Sequence, residues 1–380
     1  AGVGEVAVVS ADLRALDRTA ISELHAHGVA VVGVTSAGEE SHERRLRQLG
    51  LSLVLSSDLT APEIDDALDS LASQPGEFTR ESLSTGRTDG AVVGGPGAGA
   101  HPGAVERGRV IAVWGPTGAP GRSTVALNLA AELAPRAPTL LADCDTYGAS
   151  LAQALGLLDE APGMAAAARA ADQGTLDLVG LARVAPQVTP GLRVLTGIPR
   201  AERWTELRAA SVARVLDLAR SLAMFVVVDC GFGIEDDEEL SYDTLAPRRN
   251  AATLTALEVA DELLVVGTAD PVGLQRLVRA VQDLDGIAAP APRVVVNRVR
   301  SAAVGSRPTR RIAEALSRFA GMDNITYLPW DQETLDGAMF AGLPLAEFAP
   351  QSELREALAS LASSYAAQPV ATRRSRRFRR

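Results

Sequence analysis

The sequence predicts an α/β fold: a mostly parallel twisted sheet with helices on both faces, preceded by a small α/β unit. Three observations predict it. Apolar runs of strand length alternate with helix-period segments along most of the chain. Two of those runs, PTLLADCD at 138–145 and AMFVVVD at 223–229, are too apolar to face water on either side, as central strands of a parallel sheet are. Both end in aspartate, and open α/β sheets gather ligands at the C-terminal edge of their strands.

The elements follow in order. Residues 1–74 hold three strand–helix units, with strands at 5–10, 29–36 and 51–56 and a third helix over 61–72. Residues 75–108 are mostly Gly, Pro, Ser and Thr, with little to bury, and read as a flexible linker. Residues 109–367 alternate strands and helices again as one larger domain, and 368–380 form a basic tail. A chain of 380 residues has room for two such domains.

Composition excludes several chemistries. No 18-residue apolar run suggests a transmembrane helix. Two cysteines argue against a disulfide scaffold and for the cytoplasm. All 37 basic residues are Arg, so lysine Schiff-base and lysine general-base chemistry are impossible. A net charge of -10 disfavours nucleic-acid binding by the body of the protein. The four His residues form no metal-ligand grouping, and the acidic stretch at 234–239 reads as a solvated loop.

The most informative segment is residues 109–133, RVIAVWGPTGAPGRSTVALNLAAEL. A buried strand runs into a Gly/Pro-rich loop and then a helix. Glycines let backbone N–H groups curl around an anion, and the helix start adds unpaired N–H groups and partial positive charge. The expected loop comprises Gly115, Thr117, Gly118, Ala119, Pro120, Gly121, Arg122, Ser123 and Thr124, with Trp114 packed beneath. It departs from the usual phosphate-loop pattern at Pro116, where a Gly is expected, and at Arg122, where a Lys is expected. Asp143, Asp145 and Asp229 at strand ends beside such a loop are candidates to hold Mg²⁺, and the period of two puts Asp143 and Asp145 on one face. Cys144 and Cys230 each follow an aspartate and are expected to point away from the phosphates as small buried residues.

The larger domain resembles the MinD/ParA family of P-loop ATPases over roughly residues 109–365. Six blocks carry the resemblance in family order: the loop 117–124; Asp143-Cys144-Asp145; Asp229-Cys230-Gly231; the strand and turn at 258–274; RVVVNR at 293–298; and Leu328-Pro329 with Gly342-Leu343-Pro344. With its N-terminal unit and linker the chain looks most like CpaE-type proteins, which act in Tad/Flp pilus assembly or septum placement and carry a receiver-like domain. A working receiver has five βα units and an active-site Lys, so a degenerate receiver or an unrelated small α/β unit is expected.

The resemblance implies ATP or ADP with Mg²⁺ as ligands. It makes Ser123 a direct Mg²⁺ ligand, with Asp143 and Asp229 supporting it. Thr124 would face the α-phosphate, Asp145 would orient the attacking water, and Arg122 would neutralise the β and γ phosphates. Asn297 would read adenine, with Arg298 and Pro329 beside it. A homodimer through the nucleotide face and protein partners of a pilus, division or partition machine follow from the same resemblance. The family's dimer-spanning Lys is Thr117 here, and Arg is not interchangeable with Lys, so binding is expected to be more secure than hydrolysis. Arg248, Arg249 and Arg298 are candidate replacement cations. A pseudo-ATPase adaptor is the alternative. The tail, with six Arg in residues 373–380 and Phe378 as its one large apolar side chain, reads as a weak contact to anionic membrane or nucleic acid, or as a solvated end. Peripheral placement at the inner face of the membrane follows from the first of these.

Overall fold

The computed structural model describes residues 6–13, 16–60, 63–64, 107–118, 120–157, 162–235 and 247–366. The expected helix over 61–72, most of the linker, Ala119, most of the acidic loop and the Arg tail lie largely or wholly outside these residues.

The N-terminal unit contains β1 (Val6–Ser10), α1 (Arg18–Ala26), β2 (Ala30–Thr35), α2 (Glu40–Leu49) and β3 (Leu53–Ser56). Its strands are all parallel, in the order β1-β2-β3. Two right-handed crossovers that advance in one direction put both helices on one face. Ile21 of α1 and Leu46 and Leu49 of α2 accordingly pack with Val9 and Val31. A receiver places its first strand between the second and third. Here β2 takes that place, so the unit is a small α/β sheet without the receiver strand order.

The large domain runs β4 (Arg109–Trp114), α3 (Arg122–Leu133), β5 (Thr139–Cys144), α4 (Leu151–Ala154), α5 (Gly163–Asp172), α6 (Leu178–Val184), β6 (Gln187–Thr189), β7 (Leu192–Leu195), α7 (Ala209–Leu222) and β8 (Phe225–Cys230). It continues with α8 (Ala251–Val259), β9 (Glu262–Thr268), α9 (Pro271–Asp283), β10 (Pro292–Val299), α10 (Ser301–Val304), α11 (Pro308–Ala320), β11 (Ile325–Pro329), α12 (Gln332–Ala341), α13 (Leu345–Phe348) and α14 (Glu353–Ala366). The eight strands lie in the order β11-β10-β9-β4-β8-β5-β7-β6. All neighbours are parallel except the β6/β7 pair.

Strands β4, β5 and β8 are buried along their whole length, so their residues alternate between two cores. Ile111, Val113, Leu141 and Val227 face α3 and α14. Val110, Ala112, Ala142 and Val228 face α5, α7 and α8. The same parity sends Asp143 and Asp229 to the α3 side and the two cysteines to the other, as expected.

Two expectations are corrected here. Asp145 lies in the turn beyond β5, not on the strand, so it does not share a strand face with Asp143. The linker reading extends one or two residues too far: Arg107 pairs with Asp217, and Gly108 donates its N–H to Arg220 O at 2.9 Å. A Cβ on Gly108 would come within 1.8 Å of Ala223 O, so the chain is already seated on α7 there.

The small unit rests on α5 and α7. Asp17 caps α1 and pairs with Arg208 at 3.2 Å, which also reaches Asp172 at 3.4 Å. Thr19 donates to Asp172 at 3.0 Å. Gly174, with φ 67°, leaves room for Leu49, whose Cγ would stand 2.7 Å from a Cβ there.

Candidate functional site

The loop between β4 and α3 lies at the C-terminal edge of the sheet, in the middle of the strand order. Its shape depends on close backbone approach. A Cβ on Gly115 would be 2.2 Å from Val266 O of β9, so the loop leaves the strand flat against its neighbour. Gly118 and Gly121 take φ of 105° and 96°, the left-handed region that glycine adopts without strain. Gly121 is the N-cap of α3 and has no side chain to cap it. The N–H groups of Arg122, Ser123 and Thr124 therefore have no partner within the helix and face the loop's concavity. Trp114 is buried in the core on the α5, α7 and α8 side of the sheet and donates to Phe232 O at 3.2 Å.

Arg122 is turned inward. Its Nε donates to Cys230 O at 3.1 Å, and its Nη1 to Gly115 O at 3.3 Å and Pro116 O at 3.1 Å. Its Nη2 meets Asp145 Oδ2 at 3.4 Å. The guanidinium thus bridges the first residues of the loop, the end of β8 and the carboxylate expected to orient water. Asp145 is further held by its Oδ1, which accepts the N–H groups of Tyr147 at 2.8 Å and Gly148 at 3.1 Å.

Asp143 and Asp229 stand opposite each other in the β5/β8 register and are fully buried. Asp143 accepts from Asp145 N at 3.1 Å, Ser150 N at 3.1 Å and Leu151 N at 3.2 Å, so it caps α4. Burial nonetheless pushes its carboxyl up to about 7, with nearby Asp145 adding to the shift. Asp229 is raised well above the carboxylate range, first by burial and then by Asp143. Neither of its oxygens has a well-formed hydrogen bond in the protein, although the Ser123 hydroxyl stands close enough to oppose the upward shift. A buried, orphaned carboxylate beside a hydroxyl at a phosphate cradle fits Mg²⁺, which takes few protein oxygens and completes its shell with water and phosphate. No cluster of three or more His, Cys, Asp or Glu placed to hold a metal exists among the described residues. A site of this kind does not need one.

Asn297 lies at the end of the loop. It is 5% exposed, donates to Pro120 O at 2.9 Å and accepts from Arg298 N at 2.8 Å. Its Nδ2 would stand 2.4 Å from a Cβ on Gly121, so it pins the end of the loop. Arg298, at φ 59°, lies over the Trp330 ring at 5.2 Å. Pro329 ends β11 and pairs with Val299. A cavity of about 130 Å³ opens between the loop and the start of α9, bordered by Thr117, Gly118, Thr268, Asp270, Arg276 and Arg298. A larger one of about 790 Å³ lies between α9 and α11 among Leu274, Val278, Ile312, Leu316 and Phe319, and shares no residue with it.

Sequence reasoning missed a brace behind Asp145. Arg249 lies over Tyr147 at 4.3 Å and Trp204 at 5.4 Å, and donates to Ala201 O at 2.9 Å and Thr146 O at 3.1 Å. Tyr147 donates to Asn250 Oδ1 at 2.8 Å and packs on Phe232 with ring centroids 4.5 Å apart. Arg249 is therefore committed, not a spare cation. Its partners are about 50 and 100 residues away in sequence, so only the unusual Tyr147 after an Asp-x-Asp strand end hinted at the brace.

Residues 111–340 match the family described as the CobQ/CobB/MinD/ParA nucleotide binding domain. Among solved structures, the chain is similar to a ParA family ATPase from Chlorobium tepidum TLS, at 20% identity and TM-score 0.55 over 68% of this chain and 99% of that one. It is similar to the cell division ATPase MinD of Pyrococcus furiosus, at 20% identity and TM-score 0.53 over 68% and 98%. The septum site-determining protein MinD of Pyrococcus horikoshii OT3, complexed with Mg-ADP, gives 19% identity and TM-score 0.52 over 68% and 95%. No curated protein matches the chain.

Proposed function

Because this chain belongs to the CobQ/CobB/MinD/ParA nucleotide-binding family, we propose that it binds Mg-ATP and Mg-ADP at residues 115–124 and turns ATP over slowly. The observation that carries this reading is Asp229, buried with both oxygens unpartnered beside Ser123 at an uncapped helix start. Loop amides and the α3 terminus would hold the phosphates. Ser123 and Asp229 would hold the metal, which when bound neutralises phosphate charge. Asp143 keeps α4 in place and stands opposite Asp229. Asp145 would orient water once free of Arg122. Arg298 and Pro329 would flank the base, and Asn297 would act through the loop it pins. Isothermal titration should give binding in the micromolar range, strongly weakened in Asp229→Ala. Absence of heat and of thermal shift with both nucleotides would overturn the reading, and a phosphate-release assay decides turnover.

The same proposal extends to output. ATP would favour a face-to-face homodimer, and the dimer would position an assembly such as a pilus, septum or replicon in the cytoplasm, in a CpaE-like role. One relative is a MinC:MinD cell division complex from Aquifex aeolicus, with 18% identity and TM-score 0.51. No described helix is long and apolar enough to cross a membrane. Membrane contact would fall to the Arg tail. Anionic vesicles should sediment the full chain at low salt, at about 1 kcal/mol per Arg near the surface, and should not sediment a chain lacking residues 371–380. Equal sedimentation of both would remove the tail from the proposal.

A further inference from the structure

The phosphate cradle needs positive charge at its outer lip, and the nearby arginines differ in how free they are to supply it. Arg122 spends its donors on Cys230, Gly115, Pro116 and Asp145. Arg249 is held between two rings and two carbonyls. Arg298 rests on Trp330.

Arg276 is placed differently. It stands in the second turn of α9, and helical side chains lean toward the N-terminus of their helix. Here that brings the guanidinium back over the loop. Its Nη1 lies 3.5 Å from Thr117 O, the long limit of a hydrogen bond, and this is its one hydrogen bond among the described residues. A Cβ on Gly118 would meet that same nitrogen at 2.2 Å, so the bare Gly118 backbone is what lets the guanidinium lie on the lip. The one acid bordering the shared cavity does not compete for it. Asp270 accepts from the Thr268 hydroxyl at 2.6 Å and from Gly273 N at 3.0 Å, capping α9. Arg276 is exposed and therefore able to swing by an ångström or two without breaking packing.

We propose that Arg276 is a phosphate-binding residue, contributing from within the same chain the cation that meets the terminal phosphate of a nucleotide held by residues 115–124. This rests on the nucleotide reading above. The helix start at Ser123 and Thr124 serves the inner phosphates. Thr117 and Gly118 form the far lip, so a cation there acts on the outermost charge. Arg276 therefore separates ATP from ADP.

The test is titration of the full chain with Mg-ATP and Mg-ADP. Arg276→Ala should weaken ATP binding about ten- to a hundredfold, the loss of one charge-assisted hydrogen bond. ADP binding should change far less. Arg276→Lys should retain most of the affinity. Arg279→Ala, one turn along the same helix, should leave both affinities unchanged. If Arg276→Ala binds ATP like the parent, or loses ATP and ADP equally, the proposal fails while the nucleotide reading stands. If the parent binds neither nucleotide, that reading fails and this one with it.

Discussion

At the scale of single residues the site is defined by charges held in unusual company. Arg122 ties Asp145 to the loop, so the water-orienting role proposed for Asp145 would require that contact to open. Arg122→Ala should abolish nucleotide binding, whereas Arg122→Lys should keep it and raise turnover, because an ammonium cannot span the same four acceptors. Binding by Arg122→Ala at parental affinity would show that the guanidinium serves the loop and not the phosphates. Asp143 and Asp229 are raised acids, from an ordinary value near 3.8 to about 7 for Asp143. The unfolded chain releases these protons first as pH rises, so it binds fewer protons than the fold; Asp143 thereby lowers stability from about pH 4 to about pH 7, and Asp229 acts in the same direction. Urea midpoints of the metal-free protein at about pH 5 and about pH 7 should show that decline, and Asp229→Asn should flatten it and raise stability at neutral pH by about 1–3 kcal/mol. A bound divalent cation should reverse the trend.

At the scale of elements, the strands and the order of the motifs were legible because buried parallel strands are long apolar runs and the loop has its own composition. Register was not. Nothing in PTLLADCD says that the strand stops at Cys144 and leaves Asp145 in a turn, since that depends on the N–H groups of Tyr147 and Gly148 arriving from beyond it. Nor does RVVVNR say that Asn297 reaches back to Pro120 across 177 positions. The three strands of the small domain were readable, but their order was not, because crossover direction is set by packing. The glycines illustrate the same limit: Gly115 reads as a loop residue, yet its necessity lies in the carbonyl of Val266 on a neighbouring strand. Gly115→Ala should cost about 1–3 kcal/mol through that overlap, lower the thermal midpoint and weaken nucleotide binding together. An unchanged midpoint would mean that β4 and β9 yield more easily than their burial suggests.

At the scale of the whole molecule, the small unit is attached by polar pairs and one glycine contact to α5 and α7, on the sheet face opposite α3. Gly174→Val introduces a side chain at positive φ and against Leu49, so it should loosen this attachment. Hydrogen exchange over residues 16–26 should quicken while residues 115–124 keep their protection. Coupled change in both would show that the attachment reaches the site. The cysteines carry a different consequence. Cys144 and Cys230 are register partners in the centre of the sheet, both fully buried, and burial pushes both thiols up. A thiol-reactive dye can therefore label them only during rare excursions that lift α5, α7 or α8 from that face of the sheet, which makes the labelling rate a clock for those excursions. Saturating ligand at the sheet edge should slow that clock in proportion to its occupancy, so two unengineered sulfur atoms would report binding without any probe being added to the site itself.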